Sequence, residues 1–271
     1  MTTLITGATG HLGALIADHV LTRIPASELA VSTRSPEKAE ALAARGVDVR
    51  KADFDDAESL CAAFAGVDRL VLVSADGPDR VAQHTRAVEA AKAAGVAFIA
   101  YTSVVDADTS PLSLAPDHAA TERVIRESGI AFAFLRNGMY HENYTQALGH
   151  GVVAHAAGDG RNASASRDDL AEAAAIVVTG EGHEGKVYEL TGPSAWTFAE
   201  LAALSGDEAK PVTAQERIAG LVGFGLPDFV AELLTDIEVA IGRGALERVT
   251  DDLPTLLGRP ATPIADAVEN R

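Results

Sequence analysis

The chain has 271 residues, 47% of them hydrophobic, and 39 Asp and Glu against 22 Lys and Arg give a formal charge of −17. That length and apolar content support one large α/β domain or two modest ones, and they argue against disorder. The acidic balance disfavours nucleic acid and anionic membranes as partners, because neutralising phosphates requires clustered Lys and Arg. The single cysteine, Cys61, excludes an intrachain disulfide and a multi-cysteine metal site. No apolar run reaches the ~18–20 residues of a membrane span. Nor does a basic segment precede the opening apolar run as in a signal peptide. A cytoplasmic address is therefore expected.

In chain order the first predicted strand is "TLIT" (3–6), followed by the glycine-bearing turn "GATGHLG" and a helix from about 11 to 23. Leu12, Leu15, Ile16 and Val20 fall on one face of that helix. Further strands are expected at 29–33, 47–52, 69–74, 98–103, 131–137 and 186–191, with helical segments between them. Gly46, Gly66, Gly95 and Gly129 each follow a helical pattern, as expected for left-handed helix ends. In "AESLCAAFAG", Cys61 stands between Leu60 and Phe64 at helical spacing and is expected to be a buried structural thiol. Regular β–α alternation with nearly continuous apolar strands predicts a doubly wound (Rossmann) parallel sheet covered by helices on both faces. Ligands in that fold bind beyond the carboxyl ends of the strands. After about residue 138 the rhythm loosens into a loop, a helix, a strand and two or more further helices, with "TPIADAVEN" as a last short helix. The expected division is 1–150 as a nucleotide-binding domain and 151–271 as a smaller C-terminal region completing the substrate cleft.

The glycine turn sits between a strand and an amphipathic helix, the context required of a phosphate cradle. Gly7 would permit the tight turn, Gly10 the approach of a pyrophosphate, and Gly13 close packing of helix on strand. Ala8, Thr9, His11 and Leu12 complete that loop. The second strand ends in "VSTRSPEK", which has Arg34 where an NAD-binding protein would carry Asp or Glu. A guanidinium can meet a 2′-phosphate with two parallel donors, so NADP(H) is the expected cofactor. Asp53, at the end of the third strand, is placed to bond the adenine amine or equally to cap the next helix. Ser74, Ala75 and Asp76 follow the fourth strand, and Thr102 and Ser103 close the fifth. The helix after Ser103 has no Tyr-x-x-x-Lys; its central pair four residues apart is His118 and Glu122. Ordinary carbonyl reduction is therefore disfavoured, because an alkoxide needs a proton donor.

The segments "LITGATGHLG", "FIAYTSVVDADTSPL", "FLRNGMYHENY", "AAGDGRNASASRDDLAEAAA" and "GHEGKVYELTG" together resemble the type-2 NAD(P)H:quinone oxidoreductases. These belong to the NmrA-like branch of atypical short-chain dehydrogenases, which includes triphenylmethane reductase. The resemblance covers essentially the whole chain. It implies NADPH binding without flavin and two-electron reduction of quinones or similar small hydride acceptors, by a monomer or homodimer. It also implies cofactor contacts at the glycine loop, Arg34, Ser74–Asp76 and the 137–142 segment, with Asn137, Gly138, Met139 and Tyr140 positioning the nicotinamide. Between Tyr144 and Gly151 the chain is read as a few residues shorter than the family pattern, in a segment expected to border the substrate. Tyr140, Asn143 and His118 are the candidate donors to a developing oxyanion. A redox-sensing binding protein with the same pocket, or a reductase of a cationic dye, enone or imine, are the alternatives.

Overall fold

The computed structural model describes residues 1–269; Asn270, the last residue of the predicted terminal helix, lies outside the described residues. The first half alternates strand and helix. It runs β1 (Thr3–Thr6), α1 (His11–Leu21), β2 (Leu29–Thr33), α2 (Glu40–Ala44), β3 (Asp48–Lys51), α3 (Ala57–Phe64), β4 (Arg69–Leu72), α4 (Arg80–Ala94), β5 (Phe98–Val104), α5 (Ala115–Ser128) and β6 (Ala131–Asn137). It continues with α6 (Glu142–Thr145), β7 (Val152–His155), α7 (Arg167–Thr179), β8 (Lys186–Leu190), α8 (Phe198–Ser205) and β9 (Glu208–Pro211). Four helices close the described chain: α9 (Ala214–Gly223), α10 (Asp228–Gly242), α11 (Asp252–Leu257) and α12 (Ile264–Glu269).

Seven strands form one sheet in the order β3-β2-β1-β4-β5-β6-β8. The β1–β2, β1–β4, β2–β3 and β4–β5 pairs are parallel. This is the doubly wound order, and chain direction across the sheet reverses between β1 and β4. Every residue of β1, β2 and β5 is buried, as expected where helices cover both faces. The edge strand β3 instead carries exposed Asp48 and Lys51, charges that discourage further strand pairing. Leu4, Leu60, Phe64, Leu70, Ile99, Tyr101 and Phe134 belong to one buried apolar cluster. Each such side chain contributes about 1.5–3 kcal/mol by leaving water.

The chain forms two compact units. One comprises Met1–Val104, Asp117–Arg136 and Arg167–Tyr188; the other comprises Val105–Pro116, Asn137–Ser166 and Glu189–Arg271. The chain thus passes between units several times, and a single boundary near residue 150 does not describe the compactness observed. The second unit holds a small parallel sheet, β7 with β9, in which Val152 pairs with Glu208 and His155 with Pro211. Among the described residues no helix is long and apolar enough to cross a membrane.

The expected glycines at helix ends all take positive φ, from +70° at Gly66 to +88° at Gly46. Cys61 is a correction: its side chain is exposed, not buried. Within α3 the buried residues are Leu60, Ala63 and Phe64, and Cys61 lies one step, about 100°, round the helix from Leu60. Gly13 is required by packing. A Cβ there would stand 2.4 Å from the Gly7 carbonyl oxygen, whereas one on Gly10 would meet that oxygen at 3.3 Å. Gly13→Ala should therefore destabilise the protein by about 1–3 kcal/mol, and Gly10→Ala by under about 1 kcal/mol. Urea denaturation of the two variants measures the difference, and equal stabilities would remove the steric account of Gly13.

Candidate functional site

The first unit presents the carboxyl ends of β1, β2, β4 and β5. Gly7, with φ +62°, turns the chain from β1 into α1. Its carbonyl accepts the Gly10 N–H at 2.9 Å, and Gly10 is the N-cap of α1. No side chain caps this helix, and no acidic residue lies in its first turn. By contrast, α3 is capped by Asp56, and α8 and α9 by Thr197 and Thr213 within capping boxes. A long helix with bare N–H groups and no nearby carboxylate is built to receive an anion. Gly7, Thr9, Gly10 and His11 are exposed there, while Ala8, Leu12 and Gly13 are buried and offer only backbone.

The end of β2 joins this loop. The Thr9 and Thr33 hydroxyls hydrogen-bond at 3.1 Å, the Ala8 N–H donates to Ser32 O at 3.4 Å, and the Ser35 N–H donates to Thr33 Oγ1 at 3.2 Å. Arg34, next in sequence, is exposed, and among the described residues it has no hydrogen-bond or ion-pair partner. Asp53 is half-buried, and its Oδ1 accepts the Asp55 N–H at 3.0 Å. Of its two expected roles, capping is excluded, because the cap of α3 is Asp56, whose Oδ1 accepts from the Glu58 and Ser59 N–H groups.

Beyond β4, Ser74 and Thr102 are brought together, with the Ser74 N–H donating to Thr102 Oγ1 at 2.9 Å. Asp76 is exposed beside them. His118 is buried on α5. Its Nδ1 lies 2.8 Å from the Tyr101 hydroxyl, and its Nε2 lies 3.5 Å from a guanidinium nitrogen of Arg80. Burial, with the Arg80 charge and then His84 adding to it, pushes the His118 ring down to about 3. The Tyr101 hydroxyl is pushed up by burial. His118 is consequently neutral at any working pH. Glu122, its partner in the sequence pattern, is fully buried, with Ser103 Oγ donating to it at 2.7 Å. Arg136 binds the same carboxylate through Nε at 2.8 Å and Nη2 at 2.7 Å. Fork geometry of this kind locks both partners, and breaking either would leave a buried charge.

In the second unit, the predicted nicotinamide segment is held by backbone bonds. The Gly138 N–H donates to Leu190 O at 2.8 Å, the Ala165 N–H to Met139 O at 2.9 Å and the His141 N–H to Ala165 O at 2.9 Å. A Cβ on Gly138 would meet the carbonyl oxygens of Leu190 and Ala163 at 3.2 and 3.3 Å. Asn137 Oδ1 is buried and has no hydrogen-bond partner among the described residues. Tyr140 is half-buried and Asn143 exposed, with the Asn143 N–H donating to Tyr140 O at 3.1 Å. A shallow depression is lined here by Gly138, Met139, Val105, Asp106, Thr191 and Arg248, among others.

Sequence reasoning missed several polar residues that hold these segments. His84 accepts the Ala75 N–H at 2.9 Å. His141 Nε2 donates to Thr262 O at 3.0 Å, which leaves Nδ1 to accept from Ser164 Oγ at 2.8 Å, and Trp196 Nε1 donates to the same Ser164 oxygen at 2.9 Å. Their partners are 9 to 121 residues distant in sequence, so no local pattern announced them.

Strand order, glycine turn and uncapped helix at the switch point together define the class: a doubly wound α/β protein of the nucleotide-binding type. Within it the chain belongs to the NmrA-like family, whose model matches residues 1–175. It is 47% identical to quinone oxidoreductase 2 of Escherichia coli, over 98% of this chain and 97% of that one. The crystal structure of the Escherichia coli NADPH-dependent quinone oxidoreductase in complex with NADPH matches with TM-score 0.95 and 46% identity, covering 99% of each chain. Citrobacter sp. triphenylmethane reductase complexed with NADP(H) matches with TM-score 0.95 and 39% identity, over 100% of this chain and 99% of that one.

The neutral histidines set a pH dependence. In the unfolded chain His118 and His84 titrate near ~6.5, but folded they titrate at about 3 and about 4. The stability they support is therefore complete above about pH 6.5 and is lost as pH falls through that interval. His118→Gln should show a shallower fall in Tm between about pH 6.5 and 4 than the parent protein. Parallel melting curves across that range would refute the assignment.

Proposed function

We propose that this protein is an NADPH-dependent oxidoreductase that reduces a quinone-type acceptor directly, without flavin. The observation that carries the reading is the pair His118 and Glu122. Where a carbonyl reductase would need its tyrosine acid and lysine, one side chain is a neutral imidazole and the other a carboxylate locked by Arg136. The residues present suit an acceptor whose reduced form needs no strong acid. A hydroquinone anion is a far weaker base than an alkoxide, and water can protonate it. The likeness to a quinone oxidoreductase over nearly the full chain supports the same conclusion.

The cofactor fits the residues in the first unit. The bare N-terminus of α1 would hold the diphosphate, with Gly10 admitting it closely. A Cβ at position 10 would crowd the Gly7 carbonyl oxygen at 3.3 Å, less severely than at position 13, and a closely approaching diphosphate adds a second reason for glycine there. Arg34, unpaired among the described residues of a chain of charge −17, would take the 2′-phosphate. Asp53 would meet the adenine amine, and Ser74, Ala75 and Asp76 would pass along the nicotinamide-side ribose. Thr102 acts through the Ser74 N–H that it accepts. Asn137, Gly138, Met139 and Tyr140 would position the nicotinamide, chiefly by backbone contacts. When bound, NADPH supplies the hydride. The chain's own contribution is then orientation, with the Tyr140 hydroxyl or the Asn143 amide as donor to the developing oxyanion.

Losing the Arg34 contact should weaken NADPH binding by ~1.5–3 kcal/mol and leave NADH binding nearly unchanged. Titrating Arg34→Ala with both cofactors tests this, and a constant affinity ratio would show that Arg34 is not the selector. Gly10→Val should abolish NADPH binding while circular dichroism stays native.

The reaction itself is tested by NADPH oxidation at 340 nm under anaerobic conditions, against quinones, enones and cationic dyes. Turnover with quinones is expected, with kcat showing no inflection near ~6.5. His118→Ala should retain kcat within about tenfold, equivalent to ~1.4 kcal/mol. Tight NADPH binding without turnover of any acceptor would replace this reading with a redox sensor. A thousandfold fall in kcat for His118→Ala, at unchanged NADPH affinity, would replace it with histidine acid catalysis.

A further inference from the structure

β4 ends at Leu72, yet the next three backbone N–H groups are all satisfied, each by a side chain from a different element. The Val73 N–H donates to Thr6 Oγ1 of β1, the Ser74 N–H to Thr102 Oγ1 of β5 and the Ala75 N–H to His84 Nε2 of α4, each at 2.9 Å. The two threonines belong to the strands on either side of β4 and replace the ladder that ends there. His84 is different, because it reaches back from the helix that the turn itself leads into. Its ring is fully buried, edge-on to Tyr101 at 5.5 Å and to Phe54 at 6.0 Å, so it has no room to reorient.

The tautomer follows from the partners. Nε2 accepts from Ala75, so the ring proton sits on Nδ1, which donates to Thr121 Oγ1 at 3.0 Å. That hydroxyl in turn donates to Asp117 O at 3.0 Å. Burial, reinforced by Arg80, lowers the ring to about 4 and keeps Nε2 an acceptor. Arg80 secures the far side of the turn, its Nε donating to Gly77 O at 3.2 Å. The turn from Ser74 to Gly77 is thus tied at both ends to α4, and its amide donors are directed into the protein. Its exposed side chain, Asp76, and the half-buried Ser74 are left on the outward side.

We propose that His84 is a positioning residue for the cofactor: by accepting the Ala75 N–H it holds the Ser74–Gly77 turn in the one shape that receives NADPH. The proposal rests on the reading of Ser74–Asp76 as cofactor contacts. His84 itself touches no ligand, since its ring is enclosed.

The test compares His84→Leu, which fills the space without an acceptor, with His84→Gln, whose side-chain oxygen reaches about as far as Nε2. Two quantities are read: NADPH affinity by fluorescence titration, and amide hydrogen exchange at residues 73–77 in the cofactor-free protein. His84→Leu should exchange faster at 73–77 and bind NADPH about tenfold more weakly, as one lost buried hydrogen bond requires. Its kcat at saturating NADPH should stay within about threefold, and His84→Gln should restore most of both quantities. Thr121→Val, which removes the partner of Nδ1, should shift both readouts in the same direction and serves if His84→Leu does not fold. A folded His84→Leu with parental NADPH affinity would overturn the proposal, whatever its exchange rate, while leaving the cofactor reading intact. A parent protein that does not bind NADPH would overturn both.

Discussion

Helix α1 approaches the turn behind β1 so closely that a methyl group on Gly13 would stand 2.4 Å from the Gly7 carbonyl oxygen. Much else depends on that contact. It places the helix N-terminus directly beyond the carboxyl end of β1, beside β4, where chain direction across the sheet reverses. It also fixes the loop against which Thr33 and β2 are bonded, and so determines where Arg34 begins. Thr6, the last residue of β1, extends the same frame to the start of the turn after β4 by accepting the Val73 N–H. A dipole end, a guanidinium and a turn from three different strands are thereby referred to one point of helix–strand contact.

Electrostatics around this frame follow from the excess of carboxylates. In a chain of charge −17, Arg45, Arg86, Arg136, Arg217 and Arg248 all face acidic side chains. The solvent-facing pairs among them, those of Arg45, Arg86 and Arg248, contribute ~0–1 kcal/mol each. Arg34, by contrast, faces no acidic side chain among the described residues. Acidic residues populate the first turns of α3, α5, α7 and α8 but not that of α1. Carboxylates at a helix start are favourable, and the first turns of α1 and α4 are without one.

The rings beneath the turn after β4 are polar but carry no charge of their own. His84, Tyr101 and His118 are packed ring against ring, at 5.5 and 5.9 Å between centroids, and burial holds all three neutral at working pH. A neutral imidazole is at once donor and acceptor, so it can tie a backbone N–H to a hydroxyl without importing charge. Glu122 lies on the same helix as His118, one turn along, and Arg136 of β6 matches its carboxylate with two donors of one guanidinium. Both arrangements absorb side chains that a sequence pattern alone would assign to acid–base chemistry.

Strand positions such as Thr3–Thr6, Leu29–Thr33 and Ala131–Asn137 were legible from sequence, because a strand covered on both faces must be continuously apolar. The glycine turn and its helix were equally legible, because a strand, a glycine turn and an amphipathic helix follow one another locally. The family resemblance was equally local, carried by short motifs along the whole chain. Not legible were β7 and β9, since "EAKP" has no strand pattern and pairs with a segment some 56 residues away. The exposure of Cys61 was decided by which side of α3 meets the sheet, and the cap of α3 fell to Asp56 instead of Asp53. His84 looked like any helical residue until the fold set its Nε2 against the Ala75 N–H. Local periodicity encodes which elements form and which face is apolar. The partner of each buried polar group depends on contacts between distant segments, and those exist only once the chain has folded.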